Sequence, residues 1–302
     1  MTAISTAGMI EIDVLRELEE VAARNLDRHL SMAKEWMPHE YVPWSRGRDF
    51  DELPWDPSQS VLSDVAQMAF DVNLLTEDNL PSYHYEIATV FGRDGVWGNW
   101  VHRWTAEEGR HALVMRDYLL VTRGVDPVML ERDRMQQVEK GYDSAGKSPL
   151  EGMAYVSLQE LATRISHRNT GRYTEDPIAE RLLARVAADE NLHMIFYRDL
   201  VAAAYEVAPS VTTRAVAKEV QAFAMPGTGI RDFDRKARKI AAAGIYDLRI
   251  HHDEVVMPLL RHWNFFERAG IDAEAEQARE QTVAYLEAID SLATRQAERQ
   301  KR

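Results

Sequence analysis

The sequence predicts an all-α fold, a four-helix bundle elaborated by additional helices, on three observations. Apolar residues recur at three- and four-residue intervals along most of the 302 positions, and no segment alternates in the manner of a half-buried strand. Two of the helical stretches each carry a Glu-x-x-His pair, and each is preceded by a helix bearing a further glutamate.

In order along the chain, Ile12 to Lys34 sets Val14, Leu15, Leu18, Val21, Ala22, Leu26, Leu30 and Ala33 on one helical face. Pro38, Pro43, Pro54 and Pro57 then interrupt the periodicity and mark an extended connection. Helical spacing resumes from about Val61 to Leu75. Thr76 reads as the N-cap of a third helix with acidic residues in its first turn, where Pro81 is a source of strain. Further helices are expected from Gly95 to Thr122, from Ser148 to about Arg172, and from Ile178 to Val207 after Pro177. Turns are marked at Gly141 to Pro149 and at Met225-Pro226-Gly227-Thr228-Gly229. Helical patterns continue to the C-terminus, with Glu274 to Arg302 a charged surface helix that frays at its end. We read one domain over 1–302, its core at about 30–226 and its C-terminal helices at 230–302.

A content of 45% hydrophobic and 28% charged residues is that of an ordinary globular protein. Met1 to Ile12 lacks a basic segment leading into an apolar one, and no run approaches the roughly 18 apolar residues of a membrane span. The expectation is a cytoplasmic chain without a membrane span. The absence of cysteine excludes disulfides, thiolate zinc sites and iron–sulfur clusters, so any metal must bind through carboxylate and imidazole. The net charge of -13 argues against nucleic-acid binding, and an acidic partner would need a local basic patch.

Glu108-Gly109-Arg110-His111 and Glu190-Asn191-Leu192-His193 each put a carboxylate and an imidazole on one helix face. With 27 glutamates and 10 histidines in 302 residues, about one such pair is expected by chance, so neither is informative alone. The repeat is more telling: Glu77 precedes Glu108 by 31 residues and Glu160 precedes Glu190 by 30. Two helix hairpins folded into one bundle would bring Glu77, Glu108, His111, Glu160, Glu190 and His193 together, the ligand set of a carboxylate-bridged di-iron or di-manganese site. Glu107 and Asp189, directly before the pairs, are placed to orient the histidine of the opposite hairpin through its other ring nitrogen. The bland alternative is a buried ion-pair network or solvated helix faces.

Four blocks in order, Leu75-Thr76-Glu77-Asp78-Asn79-Leu80-Pro81-Ser82-Tyr83, Trp104-Thr105-Ala106-Glu107-Glu108-Gly109-Arg110-His111, Ile165-Ser166-His167-Arg168-Asn169-Thr170 and Ala187-Ala188-Asp189-Glu190-Asn191-Leu192-His193, resemble the soluble acyl-carrier-protein desaturases. The resemblance covers about Leu30 to Pro226 and is poor in the tail. It implies a ferritin-like fold with two ferrous ions, oxygen as co-substrate, two electrons from ferredoxin, a saturated acyl chain on acyl carrier protein, and a homodimer. It also implies a role for Thr163 beside the oxygen site, and an electron relay from Trp36 through Asp189 to His111. Gly109 replaces a polar residue usual in the family, and about three residues are missing between Glu160 and Glu190; neither change removes a ligand.

An apolar tunnel is expected to position the substrate, with Met115, Met153, Val156 and Leu161 as candidate linings and ordinary core packing as the alternative for each. Arg231, Arg235, Arg238 and Lys239, or Arg28, Lys34, Arg46 and Arg48, could receive an acidic carrier; a solvated surface is the alternative. Three rival functions use the same constellation. A ribonucleotide reductase small subunit would need a tyrosine where this chain has Met115, Tyr118 lying further on. A ferritin-type iron store would be shorter, and a carrier-binding module that has lost activity would not need intact ligands.

Overall fold

In the computed structural model, which describes residues 14–144 and 146–300, all regular elements among the described residues are helical. They are α1 (Glu19–Met32), α2 (Asp64–Glu77), α3 (Leu80–Phe91), α4 (Gly95–Val121), α5 (Pro127–Lys140), α6 (Pro149–Tyr173), α7 (Pro177–Val207), α8 (Pro209–Ala222), α9 (Phe233–Ala242) and α10 (Leu248–Ile250). From α10 the chain runs through a π-helical segment (His251–Val256) into α11 (Met257–His262) and ends in α12 (Ala273–Gln300). The proline-rich connection after α1 holds 3-10 turns at Pro38–Glu40, Trp44–Arg46 and Pro57–Gln59.

Helix starts follow local chemistry. Ser148 and Glu151 form a reciprocal capping box before α6, and Asp126 and Asp176 accept from the first amides of α5 and α7. Pro127, Pro149 and Pro177 occupy first turns, where a missing N–H costs nothing. α6 and α7 fold as an antiparallel hairpin, and their close approach needs Gly171, where a Cβ would lie 3.1 Å from the Glu180 Cα. α2 packs on α4 and α6, and α4 on α7, which completes the four-helix, ferritin-like bundle. α1 lies across α4 and α7, while α8 bridges the bundle to α12.

The structure corrects one boundary that matters for the site. Thr76 is not an N-cap: it sits in the last turn of α2, and Glu77 is that helix's final residue. The break falls at Asp78-Asn79 because Pro81 can be helical without a clash only in a first turn, so α3 must begin at Leu80. Pro81 therefore introduces no strain.

α5 and α8 are not marked by apolar spacing, since their inward faces bury Asp133, Gln137, Thr212, Thr213 and Glu219 alongside hydrophobic residues. α12 is less superficial than its charge suggests, with Ala275, Thr282, Leu286 and Ala293 buried; residues 301–302 lie outside the described residues. No helix among the described residues is long and apolar enough to cross a membrane.

Candidate metal centre and its cavities

Four helices deliver the six candidate ligands to one buried point. Glu77 comes from the C-terminal end of α2, Glu108 and His111 from successive turns of α4, Glu160 from the middle of α6, and Glu190 and His193 from α7. All six are buried. Donor atoms of Glu77, Glu108, His111 and Glu190 lie within 4.8 Å of one another, as do those of Glu108, Glu160, Glu190 and His193. Glu108 and Glu190 belong to both groups, so the set divides into two four-donor sites sharing two carboxylates.

Hydrogen bonding leaves these inward atoms unsatisfied. His193 Nδ1 is 2.8 Å from Glu108 Oε1, yet neither atom has a hydrogen-bond partner, and the same holds for His111 Nδ1, Glu160 Oε2 and both oxygens of Glu190. Buried orphan polar atoms cost about 1–3 kcal/mol each, and their convergence here makes a site able to hold a cation. Oxygen and nitrogen donors with no sulfur fit iron or manganese.

The electrostatics point the same way. Burial opposes charge on His111 and His193, but the facing carboxylates outweigh it and push both imidazoles well above the usual range. Burial, then the charge of Glu190, pushes Glu108 and Glu160 up. The field of the site favours positive charge.

An outer layer fixes both imidazoles. Glu107 Oε2 accepts from His193 Nε2 at 3.0 Å and from His29 Nε2 at 2.8 Å. Burial works against the Glu107 carboxylate, yet these bonds hold its pKa well below the usual range. On the other half, Asp189 Oδ2 faces His111 Nε2 at 3.5 Å and accepts from Trp36 Nε1 at 2.8 Å and Arg110 at 3.1 Å, while Arg185 binds its other oxygen. Each acid thus reaches the histidine of the opposite hairpin, and Trp36 and His111 both face the same oxygen of Asp189. Thr163 Oγ1 donates to the carbonyls of Gln159 and Glu160, both at 3.1 Å, and is buried beside the centre.

Two residues escape sequence reasoning although spacing hints at both. His167, two turns after Glu160, has Nε2 at 2.9 Å from Glu77 Oε1; Trp104, one turn before Glu108, donates from Nε1 to Glu160 Oε1 at 3.1 Å. Tyr118 stacks on Phe70 and donates to Asp176 at 2.7 Å, outside the ligand cluster, and the position a turn after His111 is Met115, buried in the apolar core.

Two mostly apolar cavities meet at Thr76 and Glu77. One lies between α3 and α6 and is walled by Ile87, Val90, Phe91, Trp104, Tyr155 and Val156. The other runs under α9 past Thr163 and His167 to Met225, Phe233, Ala237 and Ile240. Of the expected tunnel residues only Val156 is a wall; Met115, Met153 and Leu161 pack in the apolar core.

Comparison with known proteins places this geometry. The family model for fatty acid desaturases matches residues 10–302. The chain is 49% identical over 296 residues to a Mycobacterium tuberculosis protein named as acyl-[acyl-carrier-protein] desaturase DesA1, covering 94% of this chain and 88% of that one. It is 30% identical over 310 residues to the chloroplastic stearoyl-[acyl-carrier-protein] 9-desaturase of Gossypium hirsutum, covering 96% and 77%. The X-ray structure of the acyl-ACP desaturase DesA2 of M. tuberculosis superposes with a TM-score of 0.72 at 29% identity, over 89% of this chain and 99% of that one. With the family model spanning nearly all of its length, the chain belongs to the fatty acid desaturase family and is an oxidoreductase of that kind.

Proposed function

We propose that the chain is a cytoplasmic desaturase of fatty acid biosynthesis, introducing a cis double bond into a saturated long-chain fatty acyl group held on acyl carrier protein. Oxygen is the co-substrate and a ferredoxin the electron donor. The observation that carries this reading is the meeting of two apolar cavities at Glu77, on the edge of a buried set of four carboxylates and two imidazoles.

In this reading Glu77 and His111 would hold one ferrous ion and Glu160 and His193 the other, with Glu108 and Glu190 within reach of both. The bound pair supplies the oxygen activation that an unactivated C–H bond demands and that side chains cannot provide. The cavity walls hold the acyl chain extended across Glu77, exclude water and fix which carbons approach. Trp104 and His167 hold Glu160 and Glu77 in place, and Thr163 keeps a hydroxyl proton beside Glu160.

Trp36, Asp189 and His111 offer an inward path for electrons, and Arg110 and Arg185 over the Trp36 ring give its outer end a positive charge suited to an acidic ferredoxin. Trp36→Phe, which keeps bulk but removes the donor, is expected to slow reduction by ferredoxin at least tenfold while leaving metal content and reduction by dithionite unchanged. Stopped-flow reduction measures both; equal slowing with both reductants would reject the path.

The carrier is assigned to the α9 side. Arg231 is tied to Asp133 at 2.9 Å, Arg235 to Asp232 at 3.2 Å and Lys236 to Asp71, and Arg28 is tied to Asp199 at 2.6 Å. Arg238 and Lys239 are exposed on the helix that roofs the second cavity. Reversing both to glutamate should raise KM for an acyl carrier about tenfold at low salt, with the difference fading as salt rises. A KM that stays at the wild-type value at low salt would remove this patch. For the homodimer, Leu113 on α4 and Val128 and Met135 on α5 are exposed, each one helical turn from the Arg116–Glu131 pair that links the two helices, and would offer apolar area to a second copy.

The direct test is anaerobic reconstitution with ferrous iron, a reductase–ferredoxin system and a panel of acyl carriers, with mass spectrometry of the acyl products. Loss of two hydrogens at one position is expected. Iron uptake with no product from any carrier would favour storage or a lost activity.

A further inference from the structure

We infer that His29 is a positioning residue for the metal centre: through Glu107 it fixes His193, and so sets the affinity of the ion assigned to Glu160 and His193. The inference rests on the dinuclear reading above.

The geometry at Glu107 carries it. One oxygen, Oε2, accepts from both His29 and His193, at 2.8 and 3.0 Å. The other, Oε1, faces outward to Arg103 at 2.5 Å and Arg110 at 3.9 Å, both on α4 itself. His29 is thus the counterweight that keeps the carboxylate turned inward against two arginines on its own helix. Turned inward, Glu107 accepts the Nε2 proton of His193 and leaves the Nδ1 lone pair facing the other donors.

His29 is held for this work. It is buried, stacked on His193 with ring centroids 5.8 Å apart, and set edge-on against Trp100 at 5.1 Å. The equivalent oxygen on the other half, Asp189 Oδ2, has two donors besides its histidine, Trp36 and Arg110, so that losing one leaves the other. Losing His29 leaves Glu107 Oε2 with His193 as its only donor among the described residues.

The test compares His29→Leu, which keeps apolar bulk, with His29→Gln, whose amide restores a donor toward Glu107. The metal-free full-length variants are titrated with cobalt(II), followed by visible absorption and calorimetry. His29→Leu should bind one of two ions about 10–100-fold more weakly, the scale of losing an outer partner of a ligand. His29→Gln should stay within about threefold of wild type by the same rule. Wild-type affinity for both ions in His29→Leu would overturn the inference, as would equal weakening in both variants, which would make the role one of bulk. A wild-type chain binding fewer than two ions would overturn the dinuclear reading itself, and this inference with it.

Discussion

Glu190→Ala is expected to weaken both metal ions at once, whereas Glu160→Ala should weaken only one. Glu190 belongs to both donor groups and lies 3.3 Å from His111 Nδ1 and 3.6 Å from His193 Nδ1, while Glu160 belongs to one group. Each affinity should fall by more than the roughly 10–100-fold that even an outer partner of a ligand commands. Desaturation should drop on the order of 10⁴-fold, the scale seen when one member of a catalytic unit is removed. Metal analysis after equilibrium dialysis separates the two variants. A Glu190→Ala chain that retains two ions, or a Glu160→Ala chain that loses both, would contradict the placing of Glu190 in both donor groups and Glu160 in one.

Gly152→Leu should shorten the acyl chain the enzyme accepts. Gly152 lies on the cavity wall between α3 and α6, and a Cβ there would already stand 3.6 Å from Phe91 Cζ and from Val90 Cγ1, so the rest of a leucine side chain must enter the cavity or displace its wall. Excluding about four methylenes at ~0.8 kcal/mol each removes roughly 3 kcal/mol of burial, or about 200-fold in kcat/KM for the longest substrates. Chains short enough to stop before Gly152 should change less than about threefold on the same accounting. Substrate profiles by chain length, with metal content as the control, provide the measurement. Equal losses at every length would show that this cavity does not receive the chain's end.

The convergence of the candidate ligands is readable in the sequence because a helix repeats its face every three to four residues, so two Glu-x-x-His pairs each announce one helix face. The boundary at Thr76 is misread because an N-cap signal and a last helical turn look alike until Pro81 is given its only comfortable position, in the first turn of α3. His29 carries no signal at all: it lies 78 residues from Glu107, and their contact exists only because α1 lies across α4 and α7. The cavity walls are equally hidden, since Val156 faces space and Met153 faces core on the same helix with the same apolar character. Charge patches mislead for a related reason. Arg231 and Arg28 read as free cations until folding brings Asp133 and Asp199 against them.

Mössbauer spectroscopy of the chain reconstituted with iron and oxidised by oxygen reads out the proposed pair of ions at Glu108 and Glu190. Two irons per chain are expected, in one antiferromagnetically coupled, diamagnetic diferric pair. An isolated ferric ion, or a polynuclear iron core holding many ions per chain, would contradict it.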